Sequence, residues 1–409
     1  MLPELLAPAG SMDSLRAALH FGADAVYGAM HRFGLRASAG NFTEEELAEA
    51  VALAHSLGQR FYLTMNIFPF DDELDDFLAA ARAALEIGVD AAIVSDLGAI
   101  CLLREKLPEL AVHVSTQASA LNRAAVLHYR AIGCRRVILA RELSLARIAA
   151  LRRAVPEDVE LECFVHGAMC MAYSGRCLLS SALTGRSGNR GACAQPCRWD
   201  WSLTEAKRPG EALPIEEDAR GTYLLSARDL CAMPLLPELA AAGVSSLKIE
   251  GRMKTEYYVA TVVGAYRRAL DALSAGADAF REALPALMDE LRSASHRDSD
   301  TGFYLGPPSP AGGAEGFHQQ REYLARAVED APAGGPAVFL LKNRFHAGET
   351  LELMTPDGVV PLTARPFTLL RTGETLTTCG VAGELISMPV DCAVRSGDLL
   401  RGPVRNHRV

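Results

Sequence analysis

The sequence predicts an α/β protein, a TIM-like (β/α)8 barrel with a cysteine-rich insertion, followed by a small all-β barrel or sandwich domain. Two patterns indicate this architecture. A helix–glycine–strand cadence repeats through the first 250 residues, and short alternating runs separated by turn residues follow from about residue 320. We place the barrel at residues 1–295, its insertion at about 167–244 and the β domain at 320–409.

The cadence yields eight strands. Glycine adopts the left-handed conformation that ends a helix, so a glycine shortly before a β-branched run indicates a helix stop followed by a strand. Gly22, Gly58, Gly88, Gly133 and Gly243 precede AVYG, RFYLTMN, AAIVSD, RRVILAR and SLKIEG, respectively. ELLAPAG, AVHVST near residue 111 and VELECFVH near residue 159 add three more. Eight βα units over roughly 270 residues favour a closed barrel over an open doubly wound sheet.

Helix starts are equally legible. Ser11 precedes one helical stretch, and Thr43 precedes another with Glu46 three residues later, which is the pattern of a capping box. Two further helices are predicted after the eighth strand, at 255–276 and near 280–293. The β domain is predicted from the runs AVFLL, ETLELM, VVPLTAR, TLTTCG and GELISMPV, with turns at 356–358 and 396–398.

Composition excludes several classes of protein. No stretch approaches the roughly 18 apolar residues of a membrane helix, and MLPELLAPAGS lacks the features of a signal peptide, so we expect a cytoplasmic protein without a membrane partner. The net charge of −9 argues against nonspecific nucleic-acid binding but leaves room for a local basic surface. In a reducing compartment, clusters among the ten cysteines indicate metal binding or chemistry rather than disulfides.

Polar side chains follow the predicted strands, where the active sites of such barrels lie. Arg141, Lys248 and Arg252 are expected to converge there on a small anionic molecule. We assign catalytic roles to His166, Glu250 and Arg141, and substrate binding to Asn66, Gln117, Lys248 and Arg252. Asp96, Ser115 and Glu142 occupy the same strand ends, and part of the whole set is expected to serve only in caps and ion pairs.

About 75 residues separate the seventh and eighth strands, and this insertion contains Cys170, Cys177, Cys193, Cys197 and Cys231. Thiolates suit zinc or an iron–sulfur cluster, and the absence of any CxxC pair favours a [4Fe–4S] cluster. The alternative is that they are small buried apolar residues, which we favour for the other five cysteines. His166, in HGAMC, is a candidate metal ligand, substrate binder or acid. Neither HExxH nor GxSxG occurs, and the single DTG at 300–302 is interpreted as chance.

Several blocks resemble the collagenase-like peptidase family, the U32 peptidases. They are ELECFVHGAMCMAYSGRCLLSS, NRGACAQPCRW, SARDLCAMPLLPEL and SLKIEGRMKTEYYV, supported by LLAPAG, GADAVYG, FGLRASAGNF, HVSTQAS and TGFYLG. The resemblance spans nearly the whole chain and implies a barrel. It also implies two functions: peptidase action on peptides or denatured collagen, and oxygen-independent hydroxylation by enzymes that carry a [4Fe–4S] cluster.

A chain with a small C-terminal β domain is most similar to the branch that hydroxylates the wobble uridine of tRNA, with prephenate as the hydroxyl-donating co-substrate. The resemblance implies Cys170, Cys177 and Cys193 as cluster ligands, with Cys231 as the fourth and Cys197 as the alternative. Candidate RNA contacts are Arg186, Arg190 and Arg198, and such contacts should be sensitive to salt.

Overall fold

The computed structural model describes residues 2–35, 40–170, 172–199, 216–218, 221–223, 228–306 and 318–405. The last four residues of the predicted β domain and much of the insertion between 200 and 227 therefore lie outside the described residues. In the barrel part of the chain the strands are β1 (Glu4–Pro8), β2 (Ala25–Gly28), β3 (Arg60–Met65), β4 (Ala91–Val94), β5 (Val112–Val114), β6 (Arg136–Ile138), β7 (Glu160–Ala168), β8 (Glu216–Asp218), β9 (Gly221–Tyr223), β10 (Asp229–Cys231) and β11 (Ser246–Ile249).

Eight of these strands close a parallel barrel. β1 to β7 pair in chain order, and β11 pairs with both β7 and β1, with Leu247 opposite Cys163 on one side and opposite Leu5 on the other. The predicted (β/α)8 barrel is therefore confirmed, and each predicted strand is found in its expected place.

Ten helices accompany the described strands. They are α1 (Met12–His20), α2 (Glu44–Ser56), α3 (Leu74–Ile87), α4 (Leu97–Lys106), α5 (Arg123–Ala131), α6 (Leu145–Arg153), α7 (Leu179–Thr184), α8 (Leu236–Ala241), α9 (Glu256–Ala275) and α10 (Ala277–Leu291). The five glycines predicted to stop helices all have positive φ. Ser11 caps α1, and Thr43 forms the predicted capping box with Glu46 at the start of α2. None of the helices in the described ranges is long and apolar enough to span a membrane.

The insertion adds a strand that the sequence analysis does not predict. β10 runs antiparallel to β7, with Cys231 opposite His166, and pairs on its other side with β12 (Ser299–Asp300). These three-residue and two-residue strands extend the barrel sheet beyond β7 at the mouth. The chain therefore returns from the insertion along the end of β7 before it enters β11.

The C-terminal part is all-β, as predicted. Its strands are β13 (Arg321–Ala327), β14 (Pro336–Leu341), β15 (Phe345–His346), β16 (Thr350–Thr355), β17 (Gly358–Thr363), β18 (Phe367–Leu369), β19 (Glu374–Leu376), β20 (Thr378–Cys379), β21 (Leu385–Pro389) and β22 (Leu399–Pro403). Eight of them form one antiparallel sheet in the order β17-β16-β22-β13-β14-β21-β18-β19, around a core that includes Phe339, Phe345, Phe367 and Met388.

The β domain docks on α1, α9 and α10. Met354 and Leu399 belong to the apolar core of the barrel rather than to that of the β domain. Around them, Arg401 pairs with Glu290 of α10 at 2.7 Å, and Lys342 pairs with Glu256 at the start of α9 at 2.7 Å. The interface therefore combines apolar packing with buried ion pairs.

Candidate active site at the barrel mouth

The insertion is fastened to the tips of the strands by hydrogen bonds. The carboxylate of Glu142, which follows β6, accepts hydrogen bonds from the backbone N–H and the hydroxyl of Ser174, both at 2.6 Å. The Arg176 side chain donates to the carbonyl oxygen of Gln117 at 2.5 Å, and the Gln117 amide reaches the Gly175 carbonyl oxygen at 3.5 Å. The segment that carries the cysteines is thereby held directly over the mouth.

Asn66 and Gln117, two predicted substrate-binding residues, are joined through Ser95. The Ser95 hydroxyl lies 3.1 Å from the Asn66 carbonyl oxygen and 3.3 Å from Oε1 of Gln117. The Asn66 side chain accepts a hydrogen bond from the Leu35 N–H at 3.3 Å. The ends of β3, β4 and β5 therefore present one connected row of hydrogen-bonding groups.

The predicted catalytic pair Arg141 and Glu250 is brought together. A guanidinium nitrogen of Arg141 lies 3.5 Å from the Glu250 carboxylate, and another donates to the Ala168 carbonyl oxygen at 2.9 Å. The guanidinium carbon lies 3.8 Å from the centre of the Phe164 ring, within the range of a cation–π contact. Arg141, which follows β6, is thus held against the end of β7, with its guanidinium next to the Glu250 carboxylate.

Arg252 is held in the wall of the mouth beside β1 and β3. Its two terminal nitrogens donate to the Thr64 hydroxyl at 2.9 Å and to the Asn41 side-chain oxygen at 2.7 Å. Its backbone packs against Gly10, where an added Cβ would lie 1.9 Å from the Arg252 carbonyl oxygen. Only glycine fits at position 10, so close packing against Arg252 explains the glycine that ends the LLAPAG block.

His166 lies deeper, at the end of β7. Its ring packs edge-on against Tyr266, and the Tyr266 hydroxyl, which donates to the Val165 carbonyl oxygen, is 3.4 Å from Nδ1. Burial lowers the pKa of His166 to about 4. The imidazole is therefore neutral near pH 7, which suits hydrogen bonding or ligation better than ion pairing with an anion.

Lys248 points into the barrel below the mouth. Its ammonium group lies 3.2 Å from the Glu162 carboxylate and 4.2 Å from the centre of the Tyr27 ring. Burial lowers the pKa of Lys248, and the Glu162 charge opposes this shift. Arg136 continues the network, bridging Glu162 at 3.1 Å and Glu4 at 2.6 Å. Arg141, Lys248 and Arg252 are therefore each held by different partners: Glu250, Glu162, and Thr64 with Asn41, respectively. Their joint binding of one small anion stays a prediction.

Three other cysteines of the insertion, Cys170, Cys177 and Cys193, are close enough to Cys197 to act on its thiol. Burial raises the pKa of the Cys197 thiol, Arg198 lowers it, and the neighbouring thiols of Cys170, Cys193 and Cys177 raise it further. Backbone N–H groups two residues on donate to the sulfurs of Cys177 and Cys193, at 3.3 and 3.4 Å. Such hydrogen bonds stabilise thiolates and tune iron–sulfur clusters.

Cys231 occupies a different environment on β10. Burial raises the pKa of its thiol, while the Met233 backbone and the Tyr266 hydroxyl act in the opposite direction. The groups that act on Cys231 therefore differ from those around Cys197. Within the described ranges, no three histidine, cysteine, aspartate or glutamate side chains converge closely enough to hold a single metal ion.

The three arginines predicted to contact RNA lie in different settings. Arg190 pairs with Glu73 and donates to the Phe68 carbonyl oxygen at 2.9 Å, so it joins the insertion to the loop after β3. Arg198 is half-buried beside Cys197, and burial lowers the pKa of its guanidinium. Arg186 is exposed in the turn after α7.

The chain matches the model of peptidase family U32 over residues 10–312, and the model of the peptidase family U32 C-terminal domain over residues 320–401. It belongs to peptidase family U32. This U32 chain is 36% identical to the tRNA hydroxylation protein P of Escherichia coli, with 95% of this chain and 94% of that protein covered.

Two further relatives span similar lengths of this U32 chain. The tRNA hydroxylation protein P of Haemophilus influenzae is 35% identical, with 99% of this chain and 97% of that protein covered. The protein of Porphyromonas gingivalis named Collagenase is 32% identical, with 97% of each chain covered. Both names that the resemblance implies, hydroxylation protein and collagenase, therefore occur among full-length relatives.

Sequence reasoning missed the residues that hold the predicted ones in place. Glu162 is fully buried and pairs with Lys248, and Ser174 and Ser95 join the insertion and strand tips to the mouth. One signal was available: Glu160 and Glu162 alternate with apolar residues in ELECFVH, which places both carboxylates on one side of β7. The serines carry no comparable signal.

Proposed function

We propose that this protein is a tRNA-modifying enzyme that contributes to 5-hydroxylation of the wobble uridine. The observation that carries the proposal is the end-to-end similarity to the E. coli protein named tRNA hydroxylation protein P, which covers barrel, insertion and β domain together. The mouth supports it, because a polar floor lies beneath an arginine-bearing insertion that suits an anionic substrate.

A [4Fe–4S] cluster is the cofactor in this proposal, held by Cys170, Cys177 and Cys193 with Cys197 or Cys231 as the fourth ligand. This fit is supported by the three thiols that act on Cys197 and by the N–H···S hydrogen bonds to Cys177 and Cys193. A cluster spreads its ligands around four irons, so it suits thiols that are too far apart for a single ion. When bound, it supplies electron or oxygen-atom transfer at the mouth.

The co-substrate in this proposal is a small anion such as prephenate. Arg141, which follows β6, lies 3.5 Å from the Glu250 carboxylate at the mouth, and its guanidinium packs on the Phe164 ring. A pre-positioned guanidinium recognises a carboxylate with two parallel hydrogen bonds. Lys248 lies deeper in the barrel. Its ammonium group pairs with Glu162 and lies 5.5 Å from the centre of the Phe164 ring, which Arg141 also contacts.

Peptidase action is the second candidate, since a full-length relative is named Collagenase. The DTG sequence offers it little support. The Asp300 carboxylate accepts a hydrogen bond from the Gly302 N–H at 2.8 Å, which is a local turn interaction. Neutral His166 next to tyrosines is a better candidate for peptide-bond chemistry, but no serine or cysteine nucleophile is paired with it in the described residues.

Mass spectrometry of tRNA nucleosides tests the proposal. Deleting the gene, with any redundant pathway also removed, is expected to abolish 5-hydroxyuridine derivatives, and a plasmid copy is expected to restore them. The Cys170→Ala variant should fail to restore them, whereas Cys101→Ala on α4 should succeed. An unchanged nucleoside profile, together with degradation of gelatin by the purified protein, would replace hydroxylation with peptidase action.

The cluster has a separate test. Anaerobically prepared protein is expected to be brown and to contain iron, and Cys170→Ala, Cys177→Ala and Cys193→Ala should each lose the colour. Comparing Cys197→Ala with Cys231→Ala identifies the fourth ligand, with Cys134→Ala as the matched control for a buried cysteine. Colourless protein with stoichiometric zinc would refute the cluster.

A further inference from the structure

The exposed aromatic side chains are concentrated at the mouth. Among the described residues, the large aromatic side chains classed as exposed are Phe70 at 62%, Tyr173 at 52% and Trp199 at 41%. Phe70 lies in the loop after β3, and Tyr173 and Trp199 lie on the insertion. We call these three residues the aromatic collar. Exposed aromatic surface grouped around a site marks binding rather than packing.

Neighbouring groups position the collar. The guanidinium of Arg190 lies 4.3 Å from the centre of the Phe70 ring, and Arg190 is itself tied to the loop after β3. Tyr173 precedes Ser174, whose two hydrogen bonds to Glu142 fasten it above β6. The rings of Phe70 and Tyr173 are thus presented from fixed backbone, which lowers the entropy lost when a ligand stacks on them.

The charge of the surrounding segment is opposite to that of the whole chain. Residues 172–199 contain four arginines and neither aspartate nor glutamate, whereas the chain as a whole carries −9. Tyr173 and Trp199 therefore lie on a positively charged segment, whereas Phe70 precedes the acidic residues Asp71, Asp72 and Glu73 and contacts that segment through Arg190. A segment with this charge and exposed rings is complementary to a flexible polyanion with aromatic faces.

We propose that the aromatic collar binds unpaired nucleobases of an RNA loop by stacking, on either side of the nucleotide that enters the mouth. This inference rests on the proposed function for the identity of the partner, and adds the residues that hold the loop of the RNA. In double-stranded RNA the base faces are occupied by their neighbours, so a stacking surface selects loops. Arg186, which is exposed after α7, contacts the backbone phosphates.

Fluorescence anisotropy with the intact protein tests the collar. The probe is a labelled anticodon stem-loop, compared with a fully paired RNA duplex of equal length. The wild type is expected to prefer the stem-loop, and Phe70→Ala, Tyr173→Ala and Trp199→Ala should each weaken its binding by about 5- to 150-fold, the effect of losing one stacked base. All three variants should keep the wild-type melting temperature, since the side chains are exposed.

Matched variants separate stacking from apolar contact. Phe70→Trp keeps a ring and should retain binding, whereas Phe70→Leu keeps the apolar character without the ring and should lose it. Leu127→Ala removes an exposed apolar side chain from α5, away from the collar, and should bind like the wild type. The affinity should also fall steeply as salt is raised.

Three outcomes overturn the inference: equal binding of stem-loop and duplex, collar variants that bind the stem-loop like the wild type, or collar-dependent binding of a gelatin peptide in place of RNA. Failure of the proposed function is recognised separately. If nucleosides are unchanged in the deletion strain while the collar variants still lose stem-loop binding, hydroxylation is refuted and the collar is supported.

Discussion

Buried charges inside the barrel depend on one another. Arg136 bridges Glu4 and Glu162, and Glu162 also holds Lys248, with all four side chains almost fully buried. A charge taken out of water is tolerated only when it is paired, so removing one member leaves its partners uncompensated. Each residue of this network therefore contributes to stability through the others.

Substitution of Arg136 tests this dependence. Arg136→Met is expected to lower the free energy of unfolding by about 3–5 kcal/mol, because the buried carboxylates of Glu4 and Glu162 lose the cation that they share. The adjacent Arg135 is exposed and pairs with Glu160, so Arg135→Met should change the free energy of unfolding by less than about 1 kcal/mol. Urea denaturation measures the free energy of unfolding of both variants. Equal losses of stability in Arg136→Met and Arg135→Met would contradict the role given to burial.

Glu4 makes the stability of the network dependent on pH. Burial raises the pKa of Glu4, but Arg136 and Arg60 outweigh burial and hold it below the ordinary value of 4.5. A lowered folded-state pKa stabilises the protein above pH 4.5, and this contribution is lost as the pH falls through the folded-state pKa. Glu4→Gln should therefore be less stable than the wild type at pH 7, with the difference narrowing below pH 4.5. A difference that is constant with pH would contradict this.

The sequence located residues at the mouth better than residues inside the barrel. Arg141, Gln117 and Glu250 were found because they follow apolar runs, and strand ends are readable from those runs. The depth of Lys248 was not predictable, since it depends on which side of β11 faces the axis and on its pairing with Glu162. The choice between Cys197 and Cys231 likewise depends on how the insertion folds.

At the level of elements, β7 and β11 bring together Arg141 and Glu250, two of the three residues predicted to be catalytic. Their register places Glu250 beside the end of β7, where its N–H donates to the His166 carbonyl oxygen at 2.8 Å. Gly167 makes this approach possible. Its φ is +104°, and an added Cβ would lie 2.4 Å from the Glu250 carbonyl oxygen.

Gly167→Ala is therefore expected to destabilise the protein by about 1–3 kcal/mol through backbone strain, and to lower activity as well, because Glu250 and Arg141 are pushed apart. Gly88→Ala is the matched control. Gly88 has a similar φ of +97°, but the nearest atom to its added Cβ is 3.9 Å away. Thermal unfolding and nucleoside analysis compare the two, and an equal loss of activity in both variants would refute the steric role of Gly167.

Long periodic elements were predictable, and short ones were not. The helix stops and capping residues of the barrel were found because each has a local backbone cause. β10 has three residues and pairs only through the folded insertion, so no local pattern marks it. β13 and β22 were also missed, although they lie at the centre of the C-terminal sheet.

On the scale of the whole molecule, each domain has its own core, and the β domain also contributes side chains to the core of the barrel. Leu399 and Met354 of the β domain pack into the barrel core, and the buried Arg401 joins Glu290 of α10 to Glu352 of β16. Shared burial couples the unfolding of both parts. The sequence predicted the two domains but not this interface, because residues that pair across it, such as Arg401 and Glu290, lie as far as 111 positions apart in the chain.

We expect a single unfolding transition in calorimetry. Arg401→Met should lower the stability measured in that transition by about 3–5 kcal/mol, since it leaves Glu290 and Glu352 without their buried cation. Arg365→Met breaks an exposed pair with Asp391 and should have an effect of about 1 kcal/mol or less. Two separate transitions in the wild type, with Arg401→Met moving one of them, would show that the domains unfold independently.

The ion pairs that fill the barrel also bear on the order in which the ligands of the proposed reaction would bind. Because Arg136, Glu162 and Lys248 occupy the axis, a small molecule does not reach the mouth from the opposite face of the barrel. An RNA bound over the mouth would then block the entry of a small molecule. For the proposed function, we therefore expect the small anion to bind before the RNA, and steady-state kinetics to follow a compulsory order.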